Sequence, residues 1–171
     1  VSATSFRRPR FGDLVSATHR PHLPRLHTCY EALMTDATRD TLNDLGLLLL
    51  RVCAGLTMIG AHGWKKLSRF AELSESFPDP LGVGSTTSLA LAVFAEVGCS
   101  ALIVLGLFTR LAAIPSAFTM VVAAFVIHAD DPWNKKELAL AYLVVFATLA
   151  LTGAGRFSVD ARLPGRLAKL R

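Results

Sequence analysis

The feature that most constrains this chain is a succession of four apolar stretches between residues 45 and 151. A bilayer's hydrocarbon core is crossed by about 20 helical residues, with a range of about 17–25. Four such stretches joined by short polar loops predict an all-α fold, a polytopic membrane bundle of four helices. The stretches cover residues 45–61, 89–108, 111–127 and 138–151.

Two of these stretches contain one charge each, Arg51 in the first and Glu96 in the second. A charge inside a membrane helix costs about 2.5–3.5 kcal/mol on insertion scales, so it usually faces a partner or a cavity. Counted from the predicted helix ends, the depths of Arg51 and Glu96 differ by roughly 6 Å at ~1.5 Å per residue. We therefore expect them to pair. The pair is either a clasp that fixes helix packing or a proton-accepting carboxylate beside a quinone or substrate cavity, with Arg51 tuning its pKa.

Composition narrows the class further. Of 171 residues, 52% are hydrophobic and 18% are charged, and the net charge of +5 resides mainly in the tails and loops. No basic patch interleaved with aromatics accompanies it, which argues against nucleic-acid binding. Cys29, Cys53 and Cys99 form no C-x-x-C pair, so neither a redox dithiol nor a zinc knuckle is indicated.

The sequence predicts three segments. Residues 1–40, rich in Ser, Thr, Arg and Pro, are expected to be a disordered basic tail or a mis-assigned extension, with translation starting at Val1 or at Met34. Residues 41–160 form the membrane domain, and residues 161–171 form a basic C-terminal tail. The bias of Arg and Lys toward the side that holds the two termini predicts cytoplasmic termini.

Local signals set the predicted helix boundaries. The first helix is expected to run from near Thr41 to about Trp64, and the second over 87–108. The third follows a two-residue turn and ends at His128, with Pro115 close to its start. The fourth is expected over 137–152, where a glycine-containing segment stops it. Gly55 and Gly60 in the first helix, and Gly98 and Gly106 in the second, are assigned to close helix packing.

A second group of polar side chains gathers where antiparallel helices meet, on the side away from the termini. A quinone headgroup needs hydrogen-bond donors and a protonatable partner, which His62, Lys66 and Glu137 can supply. Interface anchoring is the alternative for the tryptophans and lysines. No metal-ligand spacing is present. The group consists of His62, Lys65, Lys66, His128, Trp133 and Glu137.

In order and spacing, several short motifs resemble the DoxX family of small bacterial four-helix membrane proteins. The resemblance covers about residues 45–160 and implies a bacterial inner-membrane protein linked to quinone, thiol or sulfur redox chemistry. The matching residues are Leu50-Arg51-Val52, Gly55, Ala61-His62-Gly63-Trp64-Lys65-Lys66, Glu96-Val97-Gly98, the run 106–113, Trp133, Glu137, Tyr142 and the run 155–160.

The leading hypothesis is a subunit of a membrane redox complex that binds quinone among its helices. The candidate catalytic residues are Glu96 and Glu137, and the candidate quinone-binding residues are Arg51, His62, Lys66 and Trp133. No haem, iron–sulfur or nucleotide motif is present, so no intrinsic cofactor is expected beyond a bound quinone. The expected partners are the lipid bilayer and redox proteins, and the oligomeric state stays open. A scaffold that recruits soluble redox or metal-handling proteins, or a small transporter, is the alternative.

Overall fold

The computed structural model of the protein describes residues 36–162. The chain divides into two units, Val1–Arg39 and Asp40–Arg171. The first unit lies almost wholly outside the described residues, and so do residues 1–35 of the predicted tail and residues 163–171 of the C-terminal tail. The tail was predicted to extend to residue 40, but residues 36–40 are already helical, so its predicted end is wrong. The architecture below is that of the second unit.

All regular secondary structure among the described residues is helical, with no β-strand, which confirms the predicted fold class. Within these residues, three helices are long and apolar enough to cross a membrane: a first span (Ala37–Ser68), a second span (Ser85–Leu105) and a third span (Thr109–Ile127). In chain order the elements are α1 (Asp36–Thr57), π1 (Met58–Gly63), α2 (Trp64–Ser68), α3 (Phe70–Leu73), α4 (Ser85–Val93), π2 (Phe94–Cys99), α5 (Ser100–Leu105), α6 (Thr109–Val122), π3 (Ala123–Ile127), α7 (Trp133–Thr152) and a 3₁₀ turn (Asp160–Arg162).

The helix boundaries differ from the predicted ones mainly at their starts. The first helix begins at Asp36 and the fourth at Trp133, so each starts several residues before the expected position. In α7 the residues Lys135, Lys136 and Glu137 precede the apolar part, which is why α7 falls outside the group of three long apolar spans. Pro115 lies inside α6, in its second turn, which is a little farther from the helix start than predicted.

Small residues set the spacing between the first and second spans. A Cβ atom on Gly55 would lie 2.5 Å from a Val104 methyl carbon, and one on Gly63 would lie 2.5 Å from a Val97 methyl carbon. Since real Cβ atoms do not approach so closely, glycine is needed for this contact. The packing prediction is therefore confirmed for Gly55. It is wrong for Gly60, where no atom lies within 4 Å of an added Cβ, and for Gly98, where the Cβ would meet only Phe94 of its own helix.

The core lies where the second and third spans meet α7. The packing of α6 against α7 is the most extensive between any two described helices. Alanines at positions 112 and 113 are buried at this interface, so the backbones come close together. The buried apolar side chains of the core are Met58, Cys99, Ile103, Ala112, Ala113, Met120, Ala124, Ala139, Phe146 and Leu149.

After α7 the chain turns back and forms a strap (residues 153–162) across the ends of the other helices. The Asp160 carboxylate accepts hydrogen bonds from the backbone N–H groups of Phe108 (2.8 Å) and Thr109 (3.1 Å). Asp160 thereby caps the N-terminus of α6, which sequence reasoning did not foresee. At the other end of the strap, the Asp44 carboxylate of α1 accepts a hydrogen bond from the Arg156 N–H (2.9 Å).

Candidate functional site

The centre of the candidate site is a partly buried ion pair between Lys66 and Glu96. The Lys66 ammonium lies 2.6 Å from both carboxylate oxygens of Glu96. Glu96 is 4% exposed, and the Lys66 side chain is 25% exposed. Both residues were predicted as site residues, and the structure brings them together in a contact that the sequence did not predict.

Local backbone structure explains why the two side chains meet. Glu96 lies in π2, and Lys66 lies in α2, directly after π1. Gly63 at the end of π1 lets the helices approach, because its added Cβ would lie 3.2 Å from the Glu96 Cβ. Single π turns within α-helices recur at functional sites, since the extra residue re-aims the side chains around it.

The predicted pairing of Arg51 with Glu96 is wrong. Arg51 is 2% exposed, and its guanidinium donates a hydrogen bond to the Phe157 carbonyl of the strap. It also lies against Gly106 and interacts electrostatically with Asp160. Glu96 precedes Gly106 by 106 − 96 = 10 residues, or roughly 15 Å of helix. The two charges therefore lie at different levels, and the estimate from sequence placed Arg51 too close to Glu96.

A largely apolar cavity of about 540 Å³ opens from the Lys66–Glu96 pair between the second and third spans. Its walls combine aromatic, aliphatic and proline side chains with few polar groups, so it is suited to a flat apolar molecule with a polar edge. The lining residues are Lys66, Phe77, Pro78, Pro80, Leu81, Ser88, Leu91, Ala92, Phe94, Ala95, Glu96, Pro115, Phe118, Thr119, Val122, Ala123, Ile127 and His128.

His128 adds a second titratable group to the cavity wall. The sequence analysis placed it in the second polar group but not among the candidate catalytic or quinone-binding residues. Its Nδ1 lies 2.7 Å from an Asp131 carboxylate oxygen. The side chains of both residues are partly exposed, so the pair connects the cavity with solvent. Its pairing with Asp131 was missed, although a histidine followed three residues later by an acid, just after a helix end, is a signal for such a pair.

The loop between α3 and α4 covers part of the cavity and is held by Asp79. The Asp79 carboxylate accepts hydrogen bonds from the Ser88 hydroxyl (2.7 Å) and the Gly84 N–H (2.7 Å). It also accepts one from the Val83 N–H (3.0 Å). The bond from Ser88, followed by that from Gly84, holds the pKa of Asp79 below its usual value.

The remaining predicted residues do not line this cavity. His62 is half-buried and packs edge-on against Tyr142, with ring centroids 5.9 Å apart. Its imidazole interacts electrostatically with Glu96, so it belongs to the surroundings of the ion pair. Trp133 is 68% exposed at the start of α7, and Glu137 is exposed one turn later. Neither borders the cavity within the part of the chain that the structure describes.

The fold and the site define a small helical membrane protein with a partly buried ion pair at the end of an apolar cavity. Residues 46–129 match the family model described as DoxX. An uncharacterized protein of Haemophilus influenzae is 30% identical over 125 residues, which is 69% of this chain and 83% of that protein. The chain belongs to the DoxX family.

Other relatives have similar lengths of match. Inner membrane protein YqjF of Escherichia coli is 29% identical over 123 residues, covering 70% of this chain and 92% of that protein. A second uncharacterized protein of Haemophilus influenzae is 32% identical over 121 residues, covering 67% and 87%. No solved structure matches the chain at a significant level.

Proposed function

We propose that this protein is a subunit of a membrane redox complex and binds a quinone in the cavity between its second and third spans. One observation carries the proposal, namely that an apolar cavity ends on the partly buried Lys66–Glu96 pair. A quinone has an apolar ring and tail and two carbonyl oxygens. It needs this combination of apolar wall and polar end.

The cavity residues fit such a ligand in size and chemistry. The volume of about 540 Å³ lies within the about 300–1,000 Å³ typical of small-molecule sites. Lys66 donates a hydrogen bond to a quinone carbonyl, and Glu96 exchanges protons with the reduced ring. His128, oriented by Asp131, carries protons between the cavity and solvent.

The electrons come from a partner protein that oxidises a thiol or another reduced sulfur compound. Oxidation of two thiols to a disulfide releases two electrons and two protons, and reduction of one quinone to a hydroquinone takes up the same numbers. The described cysteines give no sign of a dithiol within this chain, because Cys53 is exposed while Cys99 is buried in the core, and both are free. The chain therefore supplies the quinone site and its proton exchange.

The proposed location is the bacterial inner membrane, with cytoplasmic termini. The three apolar spans and the name of the Escherichia coli relative support the membrane. The charge bias between the two sides supports the orientation. Labelling of single cysteines introduced in the strap and in the loop over the cavity, with a membrane-impermeant reagent on intact cells, tests it.

Quinone binding tests the proposal directly. Ala92 lines the cavity, whereas Ala90 is exposed on the same helix and does not line it. We expect Ala92→Trp to fill the cavity and weaken binding of a short-tailed quinone by at least about tenfold. The matched control Ala90→Trp should bind like the unaltered protein, as measured by titration in detergent.

Purification of the native complex tests whether the protein has a redox partner. Mild extraction of the full chain should yield quinone together with a redox protein. The proposal is overturned if no quinone copurifies and the titration detects no binding to the unaltered protein. Copurified proteins without quinone would then favour the scaffold role.

A further inference from the structure

A second cavity, of about 420 Å³, lies at the strap end of the molecule, away from the Lys66–Glu96 pair. It is an open cavity between the strap and the ends of several helices. Its lining comprises Asp44, Arg110, Thr152, Gly153, Ala154, Gly155, Arg156, Ser158, Asp160 and Ala161.

The position of this cavity corresponds to the headgroup level of a bilayer. Arg110 lies in the first turn of α6, where the third span begins, and Thr152 is the last residue of α7. Asp44 lies where the apolar part of the first span begins. Since apolar helices leave the hydrocarbon at their ends, groups in this cavity face the lipid phosphates.

The carboxylates of the cavity are already engaged. Asp160 caps α6 through the N–H groups of Phe108 and Thr109. Asp44 accepts the Arg156 N–H and lies 3.7 Å from the Arg156 side chain. The negative charge therefore stabilises the protein's own backbone and one edge of Arg156.

The arginines, in contrast, retain donor capacity. The Arg110 guanidinium makes one long hydrogen bond, 3.4 Å, to the Thr152 carbonyl, and no carboxylate among the described residues is paired with it. Gly153 makes room for it, since a Cβ there would lie 3.1 Å from the Arg110 Nε. The Arg156 side chain is 73% exposed. A guanidinium presents five donors in a fork that matches phosphate oxygens.

We propose that the strap-end cavity binds the phosphate group of an anionic phospholipid through Arg110 and Arg156. Basic pockets between membrane helices commonly hold acidic headgroups, which is consistent with this assignment. The proposal is independent of quinone binding, because the two cavities share no lining residue.

Measuring how much lipid the protein retains tests this proposal. The full chain, stripped of lipid in detergent, is mixed with phosphatidylglycerol, and bound lipid is counted by native mass spectrometry. We expect Arg110→Gln and Arg156→Gln to weaken retention by at least about tenfold, because each removes charged donors. The control is Arg69→Gln, which alters an exposed arginine paired with Glu72 outside this cavity and should retain lipid like the unaltered protein.

Two further arms make the result decisive. Excess inorganic phosphate that leaves the lipid in place identifies a phospholipid as the ligand, whereas displacement of the lipid assigns the same phosphate chemistry to a soluble anion. Arg156→Gln keeps the proposal testable if Arg110→Gln does not fold, because the Arg156 side chain is mostly exposed. Equal retention by the unaltered protein and every folded variant would overturn it.

Discussion

Arg51 and Glu96 are both charged, both buried and both within apolar spans, yet their surroundings differ in kind. Arg51 lies under the strap against backbone groups, and its Nε and Nη1 atoms have no hydrogen-bond partner among the described residues. Glu96 has both oxygens bonded to Lys66 and faces an open cavity. Burial of a charge alone therefore does not indicate chemistry. The distinguishing feature is whether the charge faces closed protein or a space that a ligand can enter.

Gly106→Ala tests the packing around Arg51, the charge that faces closed protein, and it has the largest expected effect. The new Cβ would lie 1.6 Å from the Arg51 Nη1, at a residue with φ of +69°. We expect the free energy of unfolding to fall by roughly 3 kcal/mol or more, from overpacking and the positive φ together. Thermal or denaturant unfolding in detergent measures it.

Gly46→Ala is the matched control for that variant. Gly46 lies within α1, and no atom comes within 4 Å of an added Cβ. Alanine there should leave stability unchanged or raise it by about 0.4–1 kcal/mol. Similar melting of the two variants would mean that Arg51 and the strap are not tightly packed around Gly106.

Lys66→Met tests the surroundings of Glu96, the charge that faces the cavity. It leaves the buried Glu96 carboxylate without its cation, which should lower the free energy of unfolding by about 3 kcal/mol. The double variant Lys66→Met/Glu96→Gln should recover most of that loss, because no uncompensated charge remains. If the pair serves the cavity, the double variant should still bind quinone poorly. Recovery of both stability and quinone binding would reduce the pair to a packing element.

Much of the fold could be predicted from the sequence, because apolar length and polar loops decide where helices cross a membrane. Arg51 and Glu96 stood out for the same reason, as charges where lipid is expected. The residues that contact Arg51 and Glu96 could not be deduced, because those contacts depend on where each helix ends. The first helix extends beyond Trp64 to Ser68, which places Lys66 against Glu96.

The strap was also beyond the reach of sequence reasoning. The run 155–160 matches the family motif, and we had assigned it only to ending the last helix. Its return across α5 and α6 depends on contacts between residues about fifty positions apart, such as the bond from the Asp160 N–H to the Gly106 carbonyl (2.8 Å). No local pattern in the sequence specifies such a contact.

Asp160→Asn tests how much the strap stabilises the start of α6. An asparagine side chain has one acceptor oxygen, so it can satisfy one of the two N–H groups at the start of α6 and loses the negative charge there. We expect a loss of about 1–2 kcal/mol in the free energy of unfolding. Asp130→Asn, which alters an exposed carboxylate after π3, is the control. Equal stability of the two variants would contradict the capping role of Asp160.

Asp79 gives the corresponding test on the cavity side, where the expected effect is smallest because the loop is exposed. Its pKa is lowered in the folded loop, chiefly by the Ser88 hydroxyl and then by the Gly84 N–H. A lowered folded-state pKa means that the loop's stabilisation is complete above the ordinary aspartate value of about 3.9. It is lost as the pH falls through the lower folded-state value.

The amide signal of Gly84 reports this transition, because its N–H donates to Asp79. In nuclear magnetic resonance spectra of the unaltered protein, the chemical shift of this amide should change at pH values below the ordinary aspartate pKa. In Asp79→Asn it should not change with pH in that range. Glu75→Gln, which alters an exposed acid of the same loop, should leave the transition in place. A transition that persists in Asp79→Asn would assign the loop's pH response to another group. In that case Asp79 would not hold the loop over the cavity in the way that Asp160 holds the strap.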